Sequence, residues 1–228
     1  MTEPITLEKL NRRDAFRYMG HKGGEIKENI LAIADECEEA LLKAIKPRMV
    51  YRVFDIERTD KGVEIKNTPL IFCGNDIARY LEGCQRAVLM CVTLSSETDR
   101  LINSYESCGM ERAFVADALA SAAVEQVCEI AERLIQKEVG EHYHFTWRFS
   151  PGYGDLPLEV QRDFIKVTDA HKRIGLSVTD SLILIPRKSV TAVMGISETE
   201  IPQKRRGCIC CNMRERCEFR KGGNHCGI

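Results

Sequence analysis

The sequence predicts an α+β protein in which long central helices pack on an antiparallel sheet. Residues 25–46 have the apolar spacing of an amphipathic helix, and residues 110–139 form an Ala-rich helical stretch without Pro or Gly. Residues 86–94 are a nearly continuous apolar and β-branched run, which is typical of a buried strand. The helices and strands do not alternate regularly, and this favours α+β over a parallel α/β sheet.

The elements of the first third follow from helix and turn signals. The helix over residues 25–46 should end at Pro47, because proline cannot continue a helix. Residues 48–56 partly alternate between apolar and polar, as in a strand with one buried face. Residues 63–65 are expected to pair with this strand across a turn at residues 60–62.

The next helices are marked by a start signal and by length. Ser96 and Asp99 have the spacing of a capping box, although Asp stands where Glu or Gln is preferred, and they predict a helix start. Residues 110–139 then form one long helix of about 45 Å at a rise of about 1.5 Å per residue.

The character of the chain changes after Gly140. Residues 141–157 combine aromatics with Pro and Gly, which predicts an irregular loop. One or two short helices are expected over residues 158–173, followed by strands at 181–185 and 190–196.

Composition and charge limit the classes of function. The 228 residues include 33 Lys and Arg against 34 Asp and Glu, and this net charge of −1 gives no support to nucleic-acid or membrane-surface binding. No window reaches the roughly 18 apolar residues of a membrane span. The first 25 residues are too polar for the apolar part of a secretory signal, so we expect a cytoplasmic protein without a membrane partner.

The 11 cysteines divide the chain into two parts. Five of them fall in the last 21 residues, and we therefore expect a body over residues 1–200 and a basic, Cys-rich tail over 201–228. The other six are scattered, mostly in apolar runs, and are interpreted as buried small hydrophobic residues: Cys37, Cys73, Cys84, Cys91, Cys108 and Cys128.

The tail is a candidate metal site. Cys208 and Cys211 have the two-residue gap that lets two thiolates bind one metal, and Cys217 with Cys226 (or His225) would complete four ligands. Zinc and an iron–sulfur cluster are both consistent with four such ligands. Redox-active thiols, or a tail with neither role, are the alternatives, because the spacing matches no standard template.

The loop from Arg148 to Tyr153 is the most informative stretch of the body. Arg148 offers a planar fork for a carboxylate, Pro151 and Gly152 shape a bend, and Tyr153 offers a ring and a hydroxyl. Together these groups could hold an amino-acid-like ligand with an aromatic portion. The alternative is a Pro-Gly turn beside a surface arginine.

These residues also carry a resemblance to a known family. The order of Arg148-x-x-Pro-Gly-Tyr153, Pro157, the segment 175–181 and Pro186-x-x-Ser-Val190 is similar to that in the reactivation domain of cobalamin-dependent methionine synthase. The helix segment from Asp117 to Glu132 and residues 16–20 fit the same pattern, so the resemblance covers about residues 10–200.

The resemblance implies a methionine synthase activation domain-like fold that binds S-adenosylmethionine. In that family an electron donor such as flavodoxin reduces oxidised cobalamin, and S-adenosylmethionine then methylates it. By this resemblance the protein would hold the methyl group in line with cobalt, while the cofactors would supply the chemistry. Cobalamin would be supplied by a partner, either methionine synthase or a related corrinoid protein.

Site residues follow from the same resemblance. Arg148 would bind the methionyl carboxylate, the backbone around Ser150, Pro151 and Gly152 would hold adenine and ribose edges, and Tyr153 would line the pocket. Glu125 would face the ligand's ammonium group, or would be one more solvated charge on the helix.

Two features depart from the pattern of full-length methionine synthases. A Tyr pair of the family is replaced by residues 191–195, and an acidic residue before the first helix has no counterpart. His171 lacks the spacing of a lower cobalt ligand and is interpreted as a surface residue. The remaining length is too short for a homocysteine- or folate-binding barrel, so the protein is expected to act in trans on a separate corrinoid enzyme.

Two hypotheses therefore stand: a reactivation protein that binds S-adenosylmethionine, and a metal- or cluster-bearing interaction protein that uses the tail. The first would fail if Arg148 were held by the protein's own acids and the adjoining bend were packed shut.

Overall fold

The computed structural model describes residues 4–21, 23–107, 109–201 and Glu215. The described part contains seven helices: α1 Arg12–Tyr18, α2 Glu28–Ala44, α3 Asn75–Tyr80, α4 Ser96–Glu106, α5 Met110–Val139, α6 Val160–Thr168 and α7 Ala170–Ile174. It also contains eight strands: β1 Arg48–Thr59, β2 Gly62–Ile65, β3 Ile71–Phe72, β4 Arg86–Thr93, β5 His144–Phe145, β6 Ser177–Val178, β7 Leu184–Ile185 and β8 Ser189–Ser197. The predicted α+β class is confirmed.

Six strands form one antiparallel sheet in the order β3-β2-β1-β4-β8-β5. Strand β4 lies at its centre, where Leu89 pairs with Arg52 on one side and with Val193 on the other. Strands β6 and β7 form a separate two-stranded sheet. The short strand β5 forms one edge of the main sheet, and the loop that begins there carries the candidate site.

Successive residues of β4 point into two different cores, because side chains alternate across a sheet. Val88, Met90 and Val92 belong to the core beneath α1, α2, α4 and α5. Leu89 and Cys91 belong to the core beneath α3, α6 and α7. Both faces of the central strand are therefore buried, which explains why its sequence is continuously apolar rather than alternating.

Helix α5 is the longest element, and its predicted bounds of 110 and 139 are confirmed. Gly109 and Gly140, both at positive φ, flank it. Small residues dominate its buried positions and let it pack closely against the sheet and against α1, α2 and α4. Because it is long, it presents residues to several different loops.

Several predicted boundaries differ from the structure. Helix α2 starts three residues later than predicted but does end before Pro47. The expected strand over 181–185 is reduced to two residues, because Leu182 adopts φ +66° in a turn. The short elements α1, α3, β3, β5 and β6 were not predicted, since each is too short to establish a period.

The prediction of a capping box that begins at Ser96 is wrong. Ser95 is the N-cap residue of α4, and its side chain makes no capping hydrogen bond. Asp99 instead accepts a hydrogen bond of 2.7 Å from the backbone N–H of Arg187. The capping-box spacing is present in the sequence, but the Asp99 carboxylate binds the distant backbone at Arg187 instead of the start of its own helix.

The scattered cysteines divide by exposure. Cys37, Cys91 and Cys128 are buried as predicted, whereas Cys84 is half-buried and Cys73 is exposed, so for Cys73 the prediction is wrong. Cys108 lies outside the described residues. Burial raises the pKa of the Cys91 thiol to about 12, which leaves it protonated and unreactive at neutral pH.

Within the described ranges, no helix combines the length and apolarity needed to cross a membrane.

Candidate functional site

The backbone on either side of Arg148 is fixed to the edge of the main sheet. Phe145 pairs with Ile196 in β8, and Phe149 exchanges two backbone hydrogen bonds with Val193, at 2.9 and 2.8 Å. Arg148 thus lies between two anchored positions. Its side chain extends to helix α5 rather than into solvent and is only 10% exposed.

Two carboxylates of α5 hold the Arg148 guanidinium. Its Nη2 donates to Glu125 Oε2 at 3.1 Å, and its Nε pairs with Glu132 Oε1. The two acids differ in burial, because the Glu132 side chain is 14% exposed and the Glu125 side chain 43%. Arg148 therefore has one inner partner and one outer partner.

The charge of the cluster stabilises the guanidinium. Burial alone would lower the pKa of Arg148, but the facing groups of Cys128, Glu132 and Glu125 more than offset this and raise it above its usual value. Cys128 acts on Arg148 in this way only at high pH, where its thiol loses its proton, because burial raises the pKa of the thiol to about 12. One cation and two carboxylates remain, and their sum is a single negative charge.

Tyr18 brings α1 to the same place. Burial and then the charge of Glu125 raise the pKa of the Tyr18 hydroxyl. The ring is 45% exposed and lies 5.4 Å from the Arg17 guanidinium. The outer carboxylate of the cluster therefore has an aromatic neighbour at the surface.

The predicted bend follows directly after Phe149. The backbone N–H of Tyr153 donates to Ser150 O, and that of Gly152 donates to Leu156 O, at 3.0 and 2.9 Å. Gly152 has φ +88°, a region that favours glycine. Pro151 is buried beneath the bend, whereas the Tyr153 side chain is 62% exposed.

The bend is accessible, although Arg148 is not free. The residues predicted to form the site do come together: Arg148 contacts Glu125, and Ser150, Pro151, Gly152 and Tyr153 follow it in one hydrogen-bonded bend. Two observations together would defeat the hypothesis of S-adenosylmethionine binding: Arg148 held by the protein's own acids, and a closed bend. The first is made, since Glu125 and Glu132 hold Arg148. The second is not, because Gly152 and Tyr153 are exposed.

Three members of the cluster were missed by sequence reasoning. Glu132 and Cys128 share the α5 face of Glu125, and their offsets of seven and three residues were the available signal. Tyr18 lies on α1, which was not predicted. It falls within residues 16–20, which carry part of the family resemblance, but it was not named as a site residue.

The stretch that stands in place of the Tyr pair of the resembled family lies inside the main sheet. Residues 191–195 are all buried within β8, so this stretch presents no ring at the surface. His171 is exposed on α7, as predicted for a surface residue.

A separate shallow depression lies beside Asp117, about two helical turns before Glu125 along α5, and has no room for a water molecule. There Lys188 Nζ pairs with Asp117 Oδ1 at 2.8 Å and donates to Ser121 Oγ at 2.9 Å. The depression is therefore too small to enclose a small-molecule ligand.

No cluster of three or more His, Cys, Asp or Glu suited to a metal is present among the residues that the structure describes. The predicted ligands Cys208, Cys211, Cys217 and Cys226 lie outside them, so the tail site stays a prediction.

The fold and the site together define a class: an antiparallel α+β domain whose long helix presents carboxylates to an arginine in a surface loop. In its fold the chain is similar to a solved structure, the MetH reactivation domain bound to AdoHcy, which is among 13 matching chains. The match covers 88% of this chain and 82% of that chain, with a TM-score of 0.58 and 16% identity.

This likeness shows that the chain has the fold of a methionine synthase reactivation domain. No family model matches the sequence, and the search of curated proteins gave no match.

Proposed function

We propose that this protein binds S-adenosylmethionine and presents its methyl group to cobalamin held by a partner, and so reactivates a corrinoid methyltransferase. The observation that carries the proposal is the contact between Arg148 and Glu125 beside an accessible Pro-Gly bend. It occurs in a fold whose solved counterpart is bound to AdoHcy, S-adenosylhomocysteine.

The Arg148–Glu125 pair supports binding by an exchange of ion pairs. The ligand's amino-acid end carries both a carboxylate and an ammonium group. In the proposed complex the carboxylate replaces Glu125 on Arg148, and Glu125 turns to the ammonium. Each buried charge keeps a partner throughout, which avoids the cost of an unpaired ion.

Glu132 takes no part in this exchange. It is the more buried of the two acids and stays on Arg148 Nε. With one side of the guanidinium held by Glu132, the remaining donors have a fixed direction toward the ligand, so little side-chain entropy is lost on binding.

The negative charge of the cluster favours a cationic ligand. S-adenosylmethionine carries a sulfonium that S-adenosylhomocysteine lacks, so the cluster should prefer the former. We predict that Glu125→Gln weakens S-adenosylmethionine binding about three- to tenfold more than S-adenosylhomocysteine binding, the scale of about 1 kcal/mol for a partly exposed charge. Isothermal titration calorimetry with both ligands measures this difference.

Glu129→Gln is the matched control for that prediction, since Glu129 is an exposed acid one turn further along α5. It should leave the ratio of the two affinities unchanged. Equal losses for both ligands in Glu125→Gln would contradict the proposed electrostatic preference.

For the transfer step, the residues described above hold the sulfonium nucleoside at the surface, with its methyl group directed outward. Reduced cobalamin in the partner supplies the nucleophile. The methyl group would pass to that nucleophile while the S–CH₃ bond breaks with its electron pair on sulfur, so the product left on this chain would be S-adenosylhomocysteine. The protein's part is to hold the methyl group in the orientation that allows transfer and to prevent other orientations.

The test of the proposal has two stages. Calorimetry should detect S-adenosylmethionine binding to the wild-type protein, alone or with a corrinoid protein present. Radiolabel from S-[methyl-¹⁴C]adenosylmethionine should then appear in a cobalamin-loaded corrinoid protein, under reducing conditions, only when this chain is added. Absence of binding in both settings would overturn the proposal.

The identities of the partners are part of the proposal. We propose methionine synthase or a related corrinoid protein as the substrate, with a flavodoxin-type electron donor, and the cytoplasm as the compartment they share. Co-purification of the chain with a cobalamin-containing protein would support this assignment. Replacing a chemical reductant by flavodoxin in the labelling assay tests the donor.

The tail supports a second candidate function on sequence alone. The Cys208–Cys211 spacing, with Cys217 and Cys226, leads us to propose a bound zinc ion or an iron–sulfur cluster. Elemental analysis and a visible spectrum of anaerobically purified protein should show metal that is lost in the Cys208→Ser, Cys211→Ser double variant. Metal-free, colourless wild-type protein would eliminate this site.

A further inference from the structure

The bend that follows Arg148 is held at both ends by one short helix. Helix α3 contains only six residues and so spans about 9 Å. Its first turn contacts Asp155 at the end of the bend, and its last residue, Tyr80, packs on Phe149 at the beginning, with ring centroids 4.9 Å apart. The helix therefore bridges the two ends of the proposed binding loop.

The contact at Asp155 is made entirely by hydrogen bonds to backbone. The carboxylate accepts from the N–H of Asn75 at 2.5 Å and from that of Asp76 at 3.0 Å. These amides have no partner within the helix, since the first N–H groups of any helix lack one. Asp155 thus caps a helix that is about 80 residues away in sequence, in place of the N-cap residue Gly74, which has no side chain to do so.

The start of α3 and the end of the bend pack closely because a glycine in each faces a carboxylate of the other: Gly74 faces Asp155, and Gly154 faces Asp76. A Cβ at Gly74 would collide with the Asp155 carboxylate, and a Cβ at Gly154 would lie 2.7 Å from Asp76 Oδ2. Real Cβ atoms essentially never approach an oxygen this closely. Close approach of the backbones is therefore a requirement of this contact.

The aromatic contact at the other end extends to the proposed ligand side. Phe149 is 6.3 Å from the Tyr153 ring in an edge-on arrangement. Tyr80, Phe149 and Tyr153 form a continuous row from α3 to the exposed bend. A shift of α3 would move both the backbone of the bend and the Tyr153 ring.

We infer that Asp155 is a positioning residue: by capping α3, it fixes the bend in the shape that receives the nucleoside. This inference rests on the proposed function but adds to it, because Asp155 itself does not contact the ligand. An ordered loop binds more tightly, since the cost of ordering its backbone is already met in the free protein.

The first test needs no nucleoside. Amide hydrogen exchange of the wild-type protein is compared with that of Asp155→Ala. Loss of the cap should accelerate exchange at Gly152, Tyr153, Asn75 and Asp76 at least about tenfold, the scale of a lost hydrogen bond of about 1.4 kcal/mol, while α5 keeps its protection. Unchanged exchange at the bend would overturn the inference.

The second test uses S-adenosylmethionine and calorimetry. Asp155→Ala should weaken binding about tenfold or more, and Asp155→Asn, which retains one acceptor oxygen, should restore much of the loss. Asp163→Ala is the matched control, since Asp163 makes an exposed ion pair with Lys166 on α6. Wild-type affinity in Asp155→Ala would overturn the inference and leave the proposed function standing.

The wild-type protein provides a third measurement that is independent of any variant's stability. Saturating S-adenosylmethionine should slow exchange at Asn75 and Asp76 together with the bend, because the cap couples them. Protection of the bend without protection of α3 would also overturn the inference. Failure of the wild type to bind at all would instead remove the proposed function, and the exchange comparison would still decide whether Asp155 holds the bend.

Discussion

Arg148→Ala is expected to weaken S-adenosylmethionine binding by about 10- to 100-fold or more. The substitution removes the cation to which the ligand's carboxylate binds, and a hydrogen bond to a charged group is worth about 1.5–3 kcal/mol. It also leaves Glu125 and Glu132 without their shared partner, so the site becomes more negative and repels the carboxylate. Isothermal titration calorimetry of the purified variant measures the loss.

Two further variants separate the guanidinium from charge and from general damage. Arg148→Lys keeps the charge but loses the planar fork, so it should recover only part of the affinity. Arg162→Ala is the matched control, because Arg162 is 45% exposed and pairs with the surface residue Asp180. Wild-type affinity in Arg148→Ala would show that the carboxylate binds elsewhere.

The stability of these variants decides how a loss of binding is understood. Circular dichroism and thermal unfolding should show that Arg148→Lys remains folded. If Arg148→Ala is too unstable to assay, Arg148→Lys carries the test, since a lysine cannot reproduce a two-oxygen contact in one plane.

The central helix and strand could be predicted because long periodic segments carry their own signal. Residues 110–139 have no breaker for 30 positions, and the bounds of α5 are those of the sequence pattern. The run in β4 was recognised because both of its faces are buried, which leaves no polar alternation to confuse it. Local patterns of this length are seldom overridden by tertiary contacts.

The short elements could not be predicted, because they exist through tertiary contacts. Helix α3 is six residues long and is capped by Asp155, a residue far away in the chain. An isolated helix of this length has too few hydrogen bonds to offset the cost of its first turn. Its presence therefore depends on the fold and not on residues 75–80 alone.

The site was predicted in part for a similar reason. The residues of the bend are contiguous, so Arg148 and Tyr153 could be named from one motif. Their partners on α5 required knowledge of which helix turn faces the loop. Glu125 was named from a resemblance, whereas Glu132 was one of several acids on α5, and its offset of seven residues from Glu125 was the only signal that singled it out.

The most informative stability prediction concerns this inner acid. Glu132→Ala should lower the free energy of unfolding by about 2–4 kcal/mol, because it leaves the buried Arg148 with only the outer, half-exposed Glu125 as a carboxylate partner. Urea denaturation followed by circular dichroism near neutral pH measures the change. Glu129→Ala, at an exposed position of the same helix, should change stability by no more than about 0.5 kcal/mol.

A loss in Glu132→Ala no larger than that in Glu129→Ala would mean that the ion pair does not hold Arg148. A double variant, Arg148→Met with Glu132→Leu, sharpens the test, since apolar replacement of a buried ion pair is often neutral or stabilising. It should recover most of the stability that Glu132→Ala loses, yet bind no S-adenosylmethionine. Recovery of stability without recovery of binding would indicate that this buried pair is retained for the ligand and not for the fold.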